Sequence, residues 1–276
     1  MKSTDAAWIA GFFEAEGSIS ISHPKRMVRV RVNTTDLDVM ERLDALVPCP
    51  SGLRIRPPAQ RHHQTQYEWI LMRRADILEF VILVMPFLGE RRLSKARDCL
   101  AFFDVPSPGV PFRPDDHESN IAWVAGLFEG EGCIHAPTSG RGVCLTLKMT
   151  DRDIVERLDA LFPCPRIGTK LPSQSHHKTQ YIWTITKGEE MKSILALISP
   201  HFGERRSARA RELMAVLENR PGKLKRYGKT HCVHGHEYTP ENSYVIPSGA
   251  NKDARVCRTC RRDYLVIYNS RKRDPS

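Results

Sequence analysis

The sequence predicts an α+β protein made of two tandem αββαββα repeats in a pseudo-two-fold arrangement, followed by a small C-terminal domain. The duplication is visible directly, because AWIAGFFEAEG at 7–17 returns as AWVAGLFEGEG at 122–132. A longer segment, TDLDVMERLDALVPCP at 35–50, returns as TDRDIVERLDALFPCP at 150–165. Self-similarity at a fixed spacing indicates two copies of one fold in a single chain.

Hydrophobic periodicity orders the first elements of each copy. A helix at about 5–15 leads into a strand at 18–22, and a second strand, VRVRV, follows at 28–32. Because side chains alternate across a strand, its valines are expected to face a core while Arg29 and Arg31 face outward.

A helix, two strands and two closing helices are expected to complete the unit. Asp36 is expected to cap the first of these helices. The buried face of that helix is predicted to contain Leu37, Met40, Leu43 and Leu46. The strands are predicted at 53–56 and 67–71, and the closing helices at about 75–84 and 89–103.

The second copy is expected to run in the same way, with VCLTLKM at 143–149 as its alternating strand. Four antiparallel strands with helices on one face leave the other face free. Here that face carries Arg, His, Gln, Lys and Thr, which suits a DNA major groove. Every antiparallel sheet can have a polar outer face, so this pattern alone favours DNA only slightly.

Composition points to a globular protein of the reduced cytoplasm. At 276 residues, the chain is long enough for two or three domains. No apolar run approaches the ~20 residues that span a bilayer, and the N-terminus lacks the apolar stretch of a signal peptide. Five of the eight cysteines lie in the repeats and are expected to be buried hydrophobes. The three near the C-terminus are expected to bind metal, since cytoplasmic thiols stay reduced.

Charge and proline content divide the chain into four expected segments. These are a first repeat at 1–104, a proline-rich linker at 105–119, a second repeat at 120–219 and a basic zinc-binding module at 220–276. The last segment holds 13 Lys and Arg against 5 Asp and Glu, so it contributes +8 to the chain's net charge of +10. Such an excess fits a polyanionic partner, with a solvated basic tail as the alternative.

The repeated Ala-Gly segments are expected to form two helices that pack against each other. Glycine costs roughly 1 kcal/mol relative to alanine inside a helix, so its presence needs a structural reason. Gly11 and Ala15 are four residues apart, as are Gly126 and Gly130. Each helix therefore has a smooth stripe that allows its counterpart to approach closely.

Each of these helices ends in a pair of acids. Carboxylates at a helix C-terminus face the negative end of its dipole, and two such ends side by side increase the conflict. A divalent cation would relieve it, and Mg²⁺ prefers hard oxygen ligands. We assign the metal to Glu16 and Glu131, and bonding to backbone or arginine to Glu14 and Glu129. The residues expected to end the helices with positive φ are Gly17 and Gly132.

These duplicated segments resemble the signature of the LAGLIDADG homing endonucleases, in its Glu-containing form. The two-motif arrangement is similar to the single-chain, pseudo-symmetric members, and the likeness covers residues 6 to about 218. It implies a monomeric, site-specific endonuclease of the kind involved in intron mobility. Such an enzyme makes a double-strand cut in a long asymmetric DNA site with Mg²⁺ or Mn²⁺. It also implies that the two motif helices form the interface between halves.

The resemblance further implies roles for single residues. Glu16 and Glu131 would bind the metal, beside the backbone carbonyls of Ala15 and Gly130, although Asp is commoner at the acid position. A basic residue, often Lys, would follow a Pro-containing helix end. The matching residues here are Arg91 and Arg205, with Arg92 and Arg206 as adjacent alternatives. Since arginine cannot transfer a proton at working pH, this departure leaves it only a charge-stabilising role.

Outward residues of both sheets are the candidates for contacting double-stranded DNA. They are Arg29, Arg31, Arg54, Arg56, His62, His63, Lys148, Lys170, His176 and His177. Arg and Lys favour guanine O6 and N7 in direct readout, but many such side chains touch only phosphate.

The C-terminal segment at 231–260 carries a C-x3-H…C-x2-C pattern. Three thiolates and one imidazole fit tetrahedral Zn²⁺, and about thirty residues bury too little core to fold without it. The expected ligands are Cys232, His236, Cys257 and Cys260, with His231 and His234 as competitors. The segment resembles zinc-containing segments beside phage and bacterial nucleases, which implies a DNA-binding module. A second nuclease of the His-Asn-His type is the alternative.

Two other function classes compete with an endonuclease. A nucleic-acid binder without cleavage, such as an intron maturase or a transcription regulator, could use the same scaffold, although both motif acids are kept. A purely structural zinc protein would leave the duplicated acids unexplained.

Overall fold

The computed structural model describes residues 1–22, 24, 27–58, 64–109, 116–136, 142–172, 178–218, 230–247 and 255–273. The chain divides into two compact units, Met1–Glu218 and Asn219–Ser276. The larger unit contains two similar halves, each with a four-stranded antiparallel sheet and four helices. This confirms the predicted α+β class with two tandem repeats. Within the described ranges, no helix is long and apolar enough to cross a membrane.

The first half has the strand order β1-β2-β4-β3. Its elements are α1 (Ser3–Glu16), β1 (Gly17–Ser22), β2 (Met27–Thr34), α2 (Leu37–Leu46), β3 (Arg54–Arg56), β4 (Gln66–Leu71), α3 (Arg74–Val84) and α4 (Glu90–Phe102). The alternation predicted for β2 is confirmed, since Val28, Val30 and Val32 are buried in the core.

The second half repeats this topology with the order β5-β6-β8-β7. Its elements are α5 (His117–Gly130), β5 (Gly132–His135), β6 (Cys144–Met149), α6 (Arg152–Leu161), β7 (Gly168–Lys170), β8 (Gln180–Ile185), α7 (Gly188–Ile198) and α8 (Glu204–Glu218). The smaller unit contains β9 (Ser243–Val245), paired antiparallel with β10 (Arg255–Cys257), and α9 (Arg258–Arg273).

Three local details differ from the sequence-based expectations. Helix α5 begins at His117, inside the segment assigned to the linker, because the Asp116 carboxylate accepts a hydrogen bond from the Ser119 N–H at 2.7 Å. Leu37 is 39% exposed, and the buried face of α2 contains Val39, Met40 and Leu43. Asp36 makes no side-chain cap, because its carboxylate binds an arginine of the other half.

Helices α1 and α5 cross at a pair of glycines. A Cβ atom on Gly11 would lie closer than 3.0 Å to the carbonyl oxygen of Trp123, and one on Gly126 would collide in the same way with Trp8. Any larger residue would therefore push the two backbones apart. The close approach of the two motif helices, predicted from their small-residue stripes, is confirmed.

The glycines that follow the two helices have a different function from the one expected. Gly17 has φ −84° and ψ 161°, an extended conformation open to any residue, and Gly132 also lacks a positive φ, so the expected positive φ is wrong at both glycines. A Cβ on Gly17 would overlap the ring of Phe13, and one on Gly132 would overlap the ring of Phe128. Aromatic packing under the first strand of each half is what excludes a side chain.

Each half also binds the other through a cation on its second helix. Arg157 of α6 donates to the carbonyl oxygen of Phe87 at 2.7 Å and stacks 3.7 Å from the centroid of the Trp123 ring. Arg42 of α2 makes the same pair of contacts with His201 and Trp8. The hydrogen bonds of Arg157 and Arg42 therefore cross the interface reciprocally, while each guanidinium stacks on a tryptophan of its own half.

Replacing Gly11 with alanine tests the crossing. In an ordinary helix this change stabilises by roughly 1 kcal/mol. Here the collision should instead lower the free energy of unfolding by about 3 kcal/mol or more. All four tryptophans are buried in the larger unit, so urea unfolding followed by tryptophan fluorescence reports on that unit.

Gly109→Ala is the matched control, because a Cβ at that position meets nothing within 4 Å. Its effect should stay within about 0.5 kcal/mol. A Gly11→Ala protein as stable as the control would show that the helices do not cross at this residue.

Candidate functional site

The acidic ends of α1 and α5 lie next to each other. The Cα position of Gly130 is covered by α1, since a Cβ built there would lie 2.8 Å from Glu16 Cγ and 3.2 Å from Glu16 Oε1. The Glu16 side chain therefore extends across the last turn of α5, just before Glu131. The duplicated acids predicted to meet are brought together at the interface between the halves.

Burial is the main cause that raises the pKa of Glu16, and the charge of Glu131 raises it further. Desolvation also raises the pKa of Glu131. Arg92 and Arg206 oppose both shifts through their positive charge. Two partly desolvated carboxylates and two buried guanidinium groups thus share one small region.

The buried cations of this region are Arg92 and Arg206, one from each half. Arg92 Nη2 donates to the carbonyl oxygen of Glu14 at 2.7 Å. Arg206 Nη2 donates to the carbonyls of Glu129 and Gly130 at 3.0 and 3.2 Å. These are the last carbonyls of α1 and α5, where a positive charge offsets the negative end of the helix dipole.

Arg91 and Arg205, the residues preferred on sequence grounds, have other partners. Arg91 Nη2 lies 2.6 Å from Asp151 Oδ2, and Arg205 Nη2 lies 2.5 Å from Asp36 Oδ2. Each pair joins one half to the other. The guanidinium groups of Arg91 and Arg205 are therefore bound to carboxylates at the start of α6 and α2.

Glu14 and Glu129 make the backbone contacts expected of structural residues. Glu14 Oε1 accepts from the Gly89 N–H at 2.6 Å, and its Oε2 lies 3.1 Å from Arg92 Nε. Glu129 Oε1 accepts from the Gly203 N–H at 2.5 Å. Its Oε2 is buried with no hydrogen-bond partner among the described residues. Desolvation raises the pKa of both carboxyls to about 7.

A second set of acids, missed by the sequence-based reasoning, caps the helices that carry the arginines. Asp153 accepts from the Glu90 N–H at 2.7 Å, and Asp38 accepts from the Glu204 N–H at 2.5 Å. Both bonds cross between halves. The repeated T-D-x-D sequence at 35–38 and 150–153 was the signal for these contacts.

The outer face of the first sheet carries the predicted arginines. Arg54 and Arg56 are exposed on β3, and Arg29 and Arg31 lie half-buried on β2. Sequence reasoning missed their partner, Glu68, whose side chain is 1% exposed. Glu68 lies 2.9 Å from both Arg31 Nε and Arg56 Nη2.

The second sheet exposes Lys148 and Lys170 on the corresponding face. Four further candidates for contacting DNA lie outside the described residues. They are His62, His63, His176 and His177.

The cysteines and one histidine of the smaller unit converge on one point. Their ligand atoms all lie within 4.8 Å of one another, with His236 Nδ1 3.2 Å from Cys260 Sγ and 3.5 Å from Cys232 Sγ. The cluster consists of Cys232, His236, Cys257 and Cys260. The two competing histidines are not part of this cluster. His231 Nδ1 is 2.9 Å from Thr230 Oγ1, and His234 lies exposed outside the cluster.

Asn242 supports this cluster from outside. Its Oδ1 accepts from Thr259 Oγ1 at 2.7 Å, and its Nδ2 lies 3.6 Å from Cys257 Sγ. A hydrogen bond from the backbone N–H of Cys260 is the main cause that lowers the pKa of the Cys257 thiol to about 7, while desolvation and hydrogen bonds with Cys232 and Cys257 raise the pKa of the Cys260 thiol to about 12. Thiolate is the form that binds metal. With His236 in the cluster and Asn242 behind it, these residues do not support the His-Asn-His alternative.

Known proteins were compared with this chain by sequence and by structure. A family profile described as a LAGLIDADG-like domain matches residues 3–48, from the start of α1 to just past α2. The solved I-LtrWI LAGLIDADG homing endonuclease bound to target DNA is similar at 14% identity, with a TM-score of 0.53. The match covers 78% of this chain and 90% of that one. The fold is LAGLIDADG-like.

Two further structures are similar over comparable lengths. The I-GzeII homing endonuclease in complex with its DNA target has 13% identity and a TM-score of 0.49, covering 82% of this chain and 93% of that chain. The I-AabMI meganuclease bound to uncleaved DNA has 14% identity and a TM-score of 0.49, covering 77% and 90%. The search of curated proteins found no match.

The raised pKa values of Glu14 and Glu129 predict how stability varies with pH. An unfolded glutamate titrates near 4.3, so between about pH 4.5 and 7 the folded state binds more protons than the unfolded state. The free energy of unfolding should therefore fall as pH rises through this window, by on the order of 1–3 kcal/mol per carboxyl, and then level off. Urea unfolding at about pH 5 and about pH 8 measures this change in the free energy of unfolding.

Glu129→Gln should make this pH dependence shallower, because it removes one of the two carboxyls whose pKa is raised to about 7, while the raised pKa values of Glu14, Glu16 and Glu131 remain. Glu79→Gln, a change on the exposed surface of α3, is the matched control and should retain the full slope. Equal slopes for the two variants would contradict the assignment of the pH dependence to Glu129.

Proposed function

We propose that the protein is a site-specific DNA endonuclease that makes a metal-dependent double-strand cut, with Glu16 and Glu131 at its active centre. The observation that supports this proposal is the glycine crossing of α1 and α5, at which Glu16 reaches the last turn of α5 and is acted on by the charge of Glu131. Duplicated acids at two helix C-termini destabilise the fold on their own, so their presence in both copies points to a cation.

The donor set fits Mg²⁺ or Mn²⁺. Glu16 and Glu131 supply carboxylate oxygens, and the carbonyls of Ala15 and Gly130 are the further candidates. Hard oxygen ligands of this type are the ones that Mg²⁺ prefers. When bound, such an ion would supply Lewis-acid activation of water and of the phosphate.

We assign to Arg92 and Arg206 the electrostatic function first given to Arg91 and Arg205. Their charges lower the pKa of Glu16 and Glu131, and so favour the ionised carboxylates that a cation needs. Because arginine remains charged at working pH, this field does not vary with protonation. Arg91 instead holds the halves together through Asp151.

Double-stranded DNA is the proposed partner of the sheet faces, with the single chain supplying both halves of the site. The likeness of fold to the DNA-bound I-LtrWI homing endonuclease supports this proposal. Arginines and lysines on both outer faces suit contacts with bases and phosphates.

The smaller unit is proposed to be a Zn²⁺-stabilised DNA-binding module. Three sulfur atoms and one imidazole nitrogen form a set typical of structural zinc. Its helix α9 begins with three exposed arginines, Arg258, Arg261 and Arg262, which suit phosphate contacts.

Cleavage of a randomised duplex library in Mg²⁺ tests the endonuclease. Wild type should yield discrete double-strand cuts that EDTA abolishes. Glu16→Gln and Glu131→Gln should each lower the cleavage rate by about 100-fold or more, since metal stabilisation of the transition state is worth several kcal/mol.

Glu79→Gln, on the exposed surface of α3, is the matched control and should cut like wild type. Binding without cutting in every divalent metal tried would reject the endonuclease and favour a maturase or regulator. Unchanged cutting by both motif variants would remove Glu16 and Glu131 from the active centre.

Metal content tests the smaller unit separately. The purified full chain should contain about one Zn²⁺, in line with a four-ligand site. Cys260→Ser should lose it, and a chelator should unfold the smaller unit, because metal binding supplies its folding free energy. Cys133→Ser, an exposed thiol of the larger unit, is the control and should keep the ion. Full zinc content in Cys260→Ser would exclude Cys260 as a ligand.

A further inference from the structure

The two sheet faces carry different chemistry at equivalent positions. The halves align through their strand registers, with Trp69 and Trp183 at matching positions of the central pairs. Four charged residues of the first face are replaced by uncharged ones in the second. The replacements are Arg29 by Cys144, Arg31 by Thr146, Arg54 by Gly168 and Glu68 by Ile182.

On the first face, an acid holds two arginines. Glu68 lies opposite Arg54 in the β3–β4 register, and ion-pairs with Arg31 and Arg56 on the strands that flank β4. Arg56 Nη2 is within 3.1 Å of both carboxylate oxygens. Because Glu68 is buried beneath them, the two guanidinium groups are held on the surface in defined positions.

On the second face, the polar atoms satisfy one another. The hydroxyl oxygens of Thr146 and Thr184 lie 3.3 Å apart, and Thr146 Oγ1 donates to Cys144 Sγ at 3.5 Å. Ile182 stands opposite Lys148 and Gly168 in the registers. The strands of this face therefore carry no acid and no arginine pointing outward, and their lysines are Lys148 on the central strand β6 and Lys170 on the edge strand β7.

We propose a base preference for each face: the first face reads guanines through Arg31 and Arg56 positioned by Glu68, and the second reads an A·T-rich segment. This inference rests on the proposed DNA-binding function and specifies its substrate. A guanidinium held in place matches guanine O6 and N7 with two hydrogen bonds. Methyl and thiol surfaces such as those of Thr184, Cys144 and Ile182 instead suit the thymine methyl group.

Glu68 is a positioning residue in this scheme. A carboxylate facing DNA repels phosphate, so its presence on a DNA-binding face needs a compensating reason. The orientation of two arginines by Glu68 is such a reason. A guanidinium group that is already fixed in position loses less conformational entropy when it binds a base. The second face has no acid at the matching position, Ile182, and the outward residues of its strands β5–β8 include no arginine that would need one.

Selection of bound duplexes from a randomised library tests the inference directly. The full-length protein is used, in Ca²⁺ in place of Mg²⁺ to retain duplexes uncut. The recovered consensus should have two unlike halves, one with guanines at defined positions and the other rich in A·T pairs.

Arg56 and Lys170 are exposed cations at equivalent positions of the two sheets. Replacing each of them shows which half of the protein reads which half of the DNA site. Arg56→Ala should reduce the preference for guanine in one half by about 5- to 150-fold, and leave the other half unchanged. Lys170→Ala should weaken binding to all sequences alike and reduce the salt dependence by about one counterion.

Glu68→Gln separates positioning from simple structural support. It keeps the shape of the side chain and removes one negative charge. Affinity for random duplex should rise, while the guanine preference in the same half falls by about fivefold or more. Glu79→Gln on α3 is the control and should change neither property.

Each outcome decides one proposal. A consensus with guanines in both halves, or no loss of preference in Arg56→Ala and Glu68→Gln, overturns the proposed base preferences while leaving DNA binding intact. No enrichment of any duplex at low salt overturns the proposed DNA-binding function, and with it this inference.

Discussion

The crossing of α1 and α5 at Gly11 and Gly126 is the contact on which the rest of the larger unit depends. Backbone lies against backbone there, with no room for a Cβ atom on either side. This closeness brings the two helix ends together, and with them Glu16 and Glu131. It also sets how far α4 and α8 stand from the opposite half, so that Asp153 and Asp38 can reach their first N–H groups. One steric constraint therefore positions both the acids and the cations around them.

The charges near these helix ends form two kinds of pairs. Arg92 and Arg206 bind carbonyls inside the fold, whereas Arg91 and Arg205 bind carboxylates across the interface. Adjacent residues on one helix thus bind the acidic helix ends and the opposite half separately. The buried carboxyls behind them, with pKa values near neutrality, add a cost of folding that the reciprocal contacts between halves must offset.

Much of this arrangement could be predicted from the sequence, because the repeat provides two independent copies of every pattern. Alternating valines and the glycine stripe are local signals, and both were confirmed. Local signals could not decide between Arg91 and Arg92. Neighbouring helical residues point about 100° apart, and the acid that pairs with Arg91, Asp151, lies in the other half. Glu68 was missed because its partners are distant in sequence. His236 could not be chosen over His231 and His234 from the local sequence, because two of the three cysteines in its cluster, Cys257 and Cys260, lie 21 and 24 residues away.

The reciprocal interface has a consequence for how the two halves can diverge. The ion pairs of Arg91 and Arg205 and the helix-capping bonds of Asp153 and Asp38 join the halves twice with the roles exchanged, as in the isologous interface of a two-fold dimer. A symmetric dimer of one half would be restricted to a symmetric DNA target, because each substitution would appear in both subunits at once. Fusion into one polypeptide removes that coupling. The shared surface stays under a common constraint, while each outer sheet, such as the one where Ile182 stands in place of Glu68, is free to change alone.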